Sequence, residues 1–327
     1  HYELFFPVDP TEWSASIGGM LATNASGSRS YYYGSIRNWV NRIRVVLACG
    51  SVLELKRGDA VVESNTLVLE MADQKKTLNV SDIPKPNTKN TLGYSFHEGM
   101  DAIDLFIGSE GTLGVVSEIE LKLTVRPEMR LYYLQFFKEE DSIFKFVDAL
   151  REDKSLEIYA IESFDRPALD LVLSSPAAKN NRCAQMVQDS FVGAIYSEII
   201  LEDEDALVSI YEKLEELAST VNTSMDDSLA GFEDKDLRDI KAFRHAVPET
   251  INSIISQRKQ QHPSLHKVAT DMAVEDKDLK HIYNFYKTNL DDSGLEYSIF
   301  GHIGNNHFHV NMMPKDEAEL KKAKEVY

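Results

Sequence analysis

Three histidines crowd one stretch near the end of the chain, Gly301-His302-Ile303-Gly304-Asn305-Asn306-His307-Phe308-His309-Val310. Residues 297–312 read as two strands, and a two-residue turn at Asn305-Asn306 is the expected hairpin connection. That turn pairs Gly304 with His307, Ile303 with Phe308 and His302 with His309. Directly opposed side chains have Cβ atoms about 4.5–5.5 Å apart on one face. His307 shares the face of His309, because strand side chains repeat every second residue. Two opposed imidazoles suit one divalent ion, zinc, iron or manganese, and such an ion needs a further ligand, a carboxylate from elsewhere. Two partly buried histidines satisfied by hydrogen bonds are the plain alternative.

Two cations suit a different chemistry. Arg244 stands beside Phe243 and Val247, which places it near a buried helix face, and its planar fork matches a carboxylate. Lys267, in the strand-like residues 265–274, is the second candidate. Because most Lys and Arg are solvated, two surface cations compete with this reading. Two glycine-rich stretches suit yet another ligand. Residues 16–27 are almost all small, so backbone N–H groups can approach anionic oxygens or ring heteroatoms closely. Tight helix–sheet packing would use the same residues. In residues 104–116 an apolar strand is expected to run into Gly108, Gly111 and Gly114 and out into a second strand, a β-hairpin with a bulge in its plainest form. No Gly-Lys-Ser/Thr follows and the spacing is not G-x-G-x-x-G, so neither a P-loop nor the dinucleotide fingerprint is present.

The elements that must position these groups change character at Arg126-Pro127. Residues 1–126 are rich in glycine and short strand-like runs: 43–55 reads as a hairpin turning at Cys49-Gly50-Ser51, 113–123 as a strand, and 83–92 as a surface loop. After the boundary, strands at 131–137, 156–164, 192–201, 266–274, 297–303 and 307–312 alternate with helices at 142–150, 205–221 and 236–258. Pro248 should kink the last helix or mark a helix start. The expected fold class is α+β, with residues 127–327 forming an antiparallel sheet covered by helices.

The chain has 327 residues, 43% of them hydrophobic, enough for about two domains with cores of their own. Its formal net charge of −18 argues against nucleic-acid or anionic-membrane partners, which select basic surfaces. An anionic substrate would need local cations against that field. Two cysteines, Cys49 and Cys183, are too few for a disulfide framework. No run approaches the roughly 20 apolar residues of a spanning helix, and no signal peptide is evident. A cytoplasmic or other reducing, soluble compartment is expected. Opening at His1 directly into strand-like sequence and stopping inside a helical pattern at 321–327, both ends read as the interior of a longer protein.

Taken together, the stretches FPVDP, SIGGMLATNASGSRSYYYGSIRNWV, DLFIGSEGTLGVV, FRHAVPE, HKVATDMAV and GHIGNNHFHV resemble, in order, the flavin-dependent oxidases and dehydrogenases of the vanillyl-alcohol oxidase type, in their D-lactate, glycolate and D-2-hydroxyglutarate dehydrogenase branch. The resemblance covers nearly the whole chain. It implies the C-terminal part of an FAD-binding domain of that type in residues 1–126 and a substrate domain, truncated at its C-terminus, in 127–327. It implies that Ser16, Gly18, Gly19, Ala22, Thr23, Asn24 and Gly27 line the FAD, and that Glu110, Gly111, Gly114 and Val116 pack against the flavin. Arg244 and Lys267 would clamp the substrate carboxylate. His302 and His309 would be the catalytic residues that hold a divalent metal on the 2-hydroxyl and carboxylate oxygens. The implied reaction oxidises a small D-2-hydroxyacid to the 2-oxoacid by hydride transfer to flavin, with an electron acceptor that the sequence does not name and a homodimer allowed. The family's diphosphate loop is expected before His1, and its Glu-His-Gly stretch, with a third metal ligand and the base, beyond Tyr327. The piece by itself is then expected to be inactive. Where a common family form reads Asp-Gly-Asn, this chain has Asn305-Asn306-His307, which bears on metal choice. The competing readings are an alkyl-dihydroxyacetone-phosphate-synthase-like flavoenzyme, a non-catalytic fragment or binding domain, and a metal-dependent hydrolase built on the histidines.

Overall fold

The chain divides into two units, His1–Arg126 and Pro127–Tyr327, in a computed structural model that describes residues 3–10, 14–71, 74–79, 81, 83–84 and 86–327. In the first unit the strands are β1 (Leu4–Phe5), β2 (Val40–Val46), β3 (Val52–Lys56), β4 (Thr66–Glu70), β5 (Lys75–Asn79), β6 (Val115–Leu121) and β7 (Thr124–Val125), with short helices α1 (Ile17–Ala22), α2 (Ser30–Tyr33) and α3 (Ile103–Phe106). β2 is the middle strand of an antiparallel sheet, β3-β2-β6, and β4 pairs with β5. Alternation buries Ile43 and Val45 of β2, and the register shift between Val40 and Arg42 brings Val40 to the same side; all three are inaccessible and meet Leu53, Leu55 and Ile103 in one core. The 43–55 hairpin turns as expected, at Gly50, whose φ of +86° suits glycine. Of the loop expected at 83–92, Lys85 lies outside the described residues, and the rest carries no helix or strand.

One expectation fails here. Residues 104–107 do not enter the glycine turn as a strand; Ile103–Phe106 is a single helical turn, α3. The Asp101 carboxylate accepts from the Ile103 N–H at 2.9 Å and starts it. A four-residue apolar run cannot by itself separate a buried strand from a buried helical turn.

The second unit is built on a seven-stranded, wholly antiparallel sheet: β8 (Met129–Phe137), β9 (Ile158–Asp165), β10 (Gly193–Leu201), β11 (Ser228–Gly231), β12 (Val268–Ala273), β13 (Tyr297–Gly301) and β14 (His307–Met312), in spatial order β11-β8-β10-β9-β13-β14-β12. Its helices are α4 (Glu140–Glu152), α5 (Arg166–Ser174), α6 (Arg182–Gln185), α7 (Ala206–Thr220), α8 (Asp234–Arg258), α9 (Leu279–Ser293) and α10 (Glu317–Val326). The α+β class expected from the sequence is the class observed.

Register fixes which side chains share a face, because opposed residues in an antiparallel ladder project to the same side. Tyr132, Leu134 and Phe136 of β8, Ala194 and Tyr196 of β10, and Ala160 and Phe164 of β9 face one way and pack under α5 and α8. Phe243 of α8 meets Phe136 and Phe164 edge-on, with ring centroids 6.5 and 5.3 Å away. On the other face, Phe146 of α4 packs on Tyr133 and Phe137, and Tyr283 of α9 on Phe308.

Pro248 does not mark a helix start: α8 continues through it, from a capping box of Glu233 and Asp236 to Arg258. Proline removes the bond its N–H would make to the carbonyl of Arg244, one turn earlier, and crowds that carbonyl. Burial of Phe243, Val247 and Ile251 against the sheet sustains the rest. Phe243→Ala should therefore destabilise the second unit by about 3–5 kcal/mol, as for a large aromatic lost from a packed core. Denaturant unfolding of the chain measures this, and a loss below about 1 kcal/mol would show that α8 does not depend on that contact.

Candidate functional site

The α8-side face of the sheet also carries a polar line across successive strands. Glu198 lies on β10, Glu162 opposite Tyr196 on β9, His302 just past the end of β13, His307 and His309 on β14, and Asp271 opposite His309 on β12. Each follows from the pleat: Glu162 alternates with buried Ala160 and Phe164, and Asp271 takes the side of its partner His309.

The three histidine rings form a cluster, with centroids 4.8 Å apart for His307 and His309, 5.1 Å for His302 and His309 and 5.7 Å for His302 and His307. One ligand atom from each lies within 4.8 Å of the other two. The expected two-residue turn is not how they meet. β13 pairs Phe300, not His302, with His309. Residues 303–305 form a 3-10 turn, and Asn306 closes it at φ +54°. His302 is brought to His309 by the loop rather than by a ladder position. Gly301 makes this close approach: its φ is +133°, and a Cβ there would stand 2.8 Å from Cδ2 of His309. From the end of α4, Arg151 clamps the loop, donating to the carbonyls of Ile303 and Gly304 and to Oδ1 of Asn306, while the Asn306 amide donates to Asp276 at 2.6 Å.

Carboxylates hold the rings. A single oxygen of Asp271, Oδ1, lies 2.7 Å from both Nε2 of His307 and Nδ1 of His309. The hydrogen bonds from His307 and then His309 hold the Asp271 carboxyl far below the usual range. Oε1 of Glu162 lies 3.1 Å from Nδ1 of His302. The same carboxylate receives a fork from Arg244, Nε to Oε2 at 2.6 Å and Nη2 to Oε1 at 2.7 Å, and the guanidinium stacks over Tyr196 at 5.1 Å. Burial would push the Glu162 carboxyl up, but Arg244 and His302 hold it well below its ordinary value. Arg130 and Glu198 make a further pair at 2.7 Å on this face. Lys267 is exposed just before β12 and stands four residues from Asp271, about 13 Å along the strand. The structure thus brings Arg244, His302 and His309 into one line and leaves Lys267 at its margin.

In the first unit, the two glycine-rich stretches are joined. Ser16 caps α1 by accepting from the Gly19 N–H at 3.0 Å, and Thr23 closes it by donating to the Gly19 carbonyl. The N–H groups of Gly108 and Glu110 then bond the carbonyls of Leu21 and Ala22, each at 2.9 Å. Arg37 and Arg57 secure the approach: Arg37 donates to the carbonyls of Asp104 and Ile107, and Arg57 forks onto the Asp104 carboxylate. Glu110 and Gly111 follow in left-handed conformation, at φ +52° and +76°. The glycines differ in what they permit. A Cβ on Gly27 would strike the Asp9 carbonyl, and one on Gly114 would strike Val45 and Val46, so these two serve packing. Gly18 and Gly111 face open space, with Gly18, Gly19, Thr23 and Glu110 exposed. Val116 follows in β6 beside Val45. Asn24, at φ +49°, buries an Oδ1 that has no hydrogen-bond partner. An open small-residue surface beside an orphaned buried acceptor fits a ligand with N–H donors and a flat ring, as FAD has.

The sequence reading did not single out Glu162, Asp271 or Arg151. Glu162 had a visible signal, a charge inside the otherwise buried strand Ile158–Asp165; Asp271 had alternation in β12 but no partner to read it against.

Residues 126–327 match the family described as FAD linked oxidases, C-terminal domain, and residues 1–56 match the FAD binding domain. The chain is 27% identical over 319 residues to a D-2-hydroxyglutarate dehydrogenase of Stutzerimonas stutzeri, covering 96% of this chain and 56% of that protein. It is 25% identical over 307 residues to a mitochondrial D-lactate dehydrogenase [cytochrome] of Kluyveromyces lactis, covering 94% of this chain and 45% of that one. A solved alkyldihydroxyacetonephosphate synthase superposes with a TM-score of 0.63 at 15% identity, over 99% of this chain and 55% of that structure, a likeness of fold. The chain thus spans about half the length of these relatives.

The buried pair at the centre of the line gives a test. Glu162→Gln and Arg244→Met should each destabilise the second unit by about 3–5 kcal/mol by leaving a charge buried without its partner, and the double variant should cost clearly less than their sum. Equilibrium unfolding of the four proteins reads the coupling; simple additivity would show the pair to be energetically independent.

Proposed function

This chain belongs to the FAD linked oxidases, and from that premise we propose that it oxidises a small D-2-hydroxyacid to the 2-oxoacid, as part of a flavoenzyme. The observation that carries this reading is the convergence of a carboxylate-matching fork, Arg244, and an imidazole cluster on one sheet face. FAD, when bound, supplies the two-electron acceptor for the hydride that leaves C2. Ser16, Gly18, Gly19, Ala22, Thr23 and Asn24, with Glu110 and Gly111, are the residues proposed to hold it. Gly27, Gly114 and Val116 shape that surface from behind. A divalent metal, when bound, adds positive charge against the hydroxyl and carboxylate oxygens; His302 and His309 are proposed to hold it.

The protein's own groups do the positioning. Glu162 takes Nε and one Nη2 hydrogen of Arg244, which fixes the fork and leaves its Nη1 edge for a substrate carboxylate. Lys267, outside the cluster, is proposed to supply long-range attraction. The hydroxyl proton must leave as the hydride does, so a base beside the histidine line completes the reaction. A phosphate-bearing substrate would call for surplus cations on this face. Arg130 is balanced by Glu198 and Arg244 by Glu162, which favours a single small carboxylate.

The test is a visible spectrum followed by a screen of D-2-hydroxyacids with an artificial acceptor, on the full-length protein loaded with FAD. Bleaching of the flavin by one of these acids is the expected result, and a protein that takes up no flavin would sink the reading. Arg244→Lys keeps the charge and loses the fork; kcat/KM should fall by about tenfold or more, the equivalent of about 1.4 kcal/mol. Unchanged kinetics would remove Arg244 from the carboxylate site.

A further inference from the structure

We propose that His307 is a third metal ligand, so that His302, His307 and His309 form a three-imidazole site with Asp271 as its orienting acceptor. The inference deepens the metal part of the proposed function and rests on it. The family resemblance implies that the third ligand beside His302 and His309 is a carboxylate from a Glu-His-Gly stretch; His307 offers a further ligand on the same hairpin. His307 is as deeply placed as His302, the two being 6% and 8% exposed, and it presents a ligand atom within 4.8 Å of those of the other two. Four-coordinate zinc, with nitrogens at about 2.0–2.1 Å, sets its ligands roughly 3.4 Å apart.

The hydrogen bonds select the ligating nitrogens. A carboxylate accepts only, so Asp271 takes N–H from Nε2 of His307 and from Nδ1 of His309. The nitrogens left with lone pairs are then Nδ1 of His307 and Nε2 of His309. Oε1 of Glu162 stands 3.1 Å from Nδ1 of His302. Two of the three rings thus share an outer-shell carboxylate, Asp271, which is how proteins orient metal-bound imidazoles. Two satisfied surface histidines would not need to share one oxygen, nor to sit against a third ring.

The donor set has consequences for the ion and for its coordination. Three neutral nitrogens favour zinc or cobalt(II) over magnesium or manganese, which prefer oxygen. Three protein ligands also leave a position open for a substrate oxygen. Binding should therefore be a property of this chain, shown without flavin and without turnover.

The experiment strips the full chain with chelator and reloads it with zinc or cobalt(II), reading bound metal by elemental analysis and cobalt coordination by visible absorption. Wild type should bind one equivalent. His307→Asn should weaken binding by about a hundredfold and change the cobalt spectrum, while Asp271→Asn should weaken it by about 10–100-fold with the spectrum kept. Circular dichroism checks that each variant is folded. If His307→Asn binds as tightly as wild type with the same spectrum, while His302→Ala does not bind, His307 is no ligand and the two-histidine reading survives. If wild type binds neither ion, or if His302→Ala and His309→Ala retain it, the metal reading fails and this proposal with it. Flavin uptake, read separately, leaves the oxidation reading standing or falling on its own evidence.

Discussion

The site depends on one carboxylate that has no business in a hydrophobic sheet unless it is satisfied. Glu162 occupies the inward face of a strand whose every residue is buried. An ionised carboxylate there is tolerable only with a cation and hydrogen bonds of good geometry. Arg244 supplies the fork and His302 the second contact. Satisfying Glu162 therefore dictates where α8 may lie along the sheet, since Arg244 must reach it, and where the chain must go after β13. Phe243, the preceding residue, anchors the same turn of α8 between Phe136 and Phe164. A single electrostatic requirement and an aromatic contact one residue away thus fix the same helix, and the cation of the site is positioned as a by-product of packing.

The loop after β13 answers a different constraint. A tight hairpin would have kept His302 on a ladder, where its distance to His309 is set by the sheet. Instead Gly301 takes a backbone conformation open to glycine, the chain makes a 3-10 turn, and Asn306 absorbs the left-handed residue that ends it. Arg151 replaces the missing ladder bonds by donating into the loop's carbonyls. The result is a histidine held from both sides, by Glu162 at Nδ1 and by the loop backbone. Rigid support of that kind is what a ligand or substrate contact requires if it is to be in place before binding.

Periodicity made much of this legible. Six of the seven strands of the second unit, all but β11, and its helices at 142–150 and 205–221 follow from alternation and from the three-four spacing, and the histidines stand out by density alone. What periodicity leaves out is pairing. It does not contain the order β11-β8-β10-β9-β13-β14-β12, in which β12 and β13 both flank β14 although α9 separates them in sequence. Asp271 and Glu162 therefore could not be joined to the histidines in advance, since each reaches them across a non-local pairing. Asn305-Asn306 is only the end of the turn: the chain leaves the ladder already at Gly301, which shifts the hairpin register from the one the two-residue turn predicts. α3 was misread because four apolar residues fit two structures, and the deciding feature, the Asp101 side chain, lies outside the apolar run. At Pro248 the buried face on both sides of the proline keeps one helix continuous despite the lost backbone bond.

The acidic character of the chain sharpens the role of these pairings. A net charge of −18 repels an anion from most of the surface. Were Glu162, Glu198 and Asp271 unpartnered, the polar line would deepen that repulsion at the point where a carboxylate is proposed to bind. Instead Glu162 is committed to Arg244 and His302, Glu198 to Arg130, and Asp271 to His307 and His309. Each acid also fixes the group it pairs with. The carboxylates thus do two things that a neutral lining could not: they cancel the field locally, and they aim the cation and the imidazoles. An arrangement selected only for stability would be better served by apolar residues of similar volume, so the retention of three acids on one sheet face is itself an argument that the face serves chemistry.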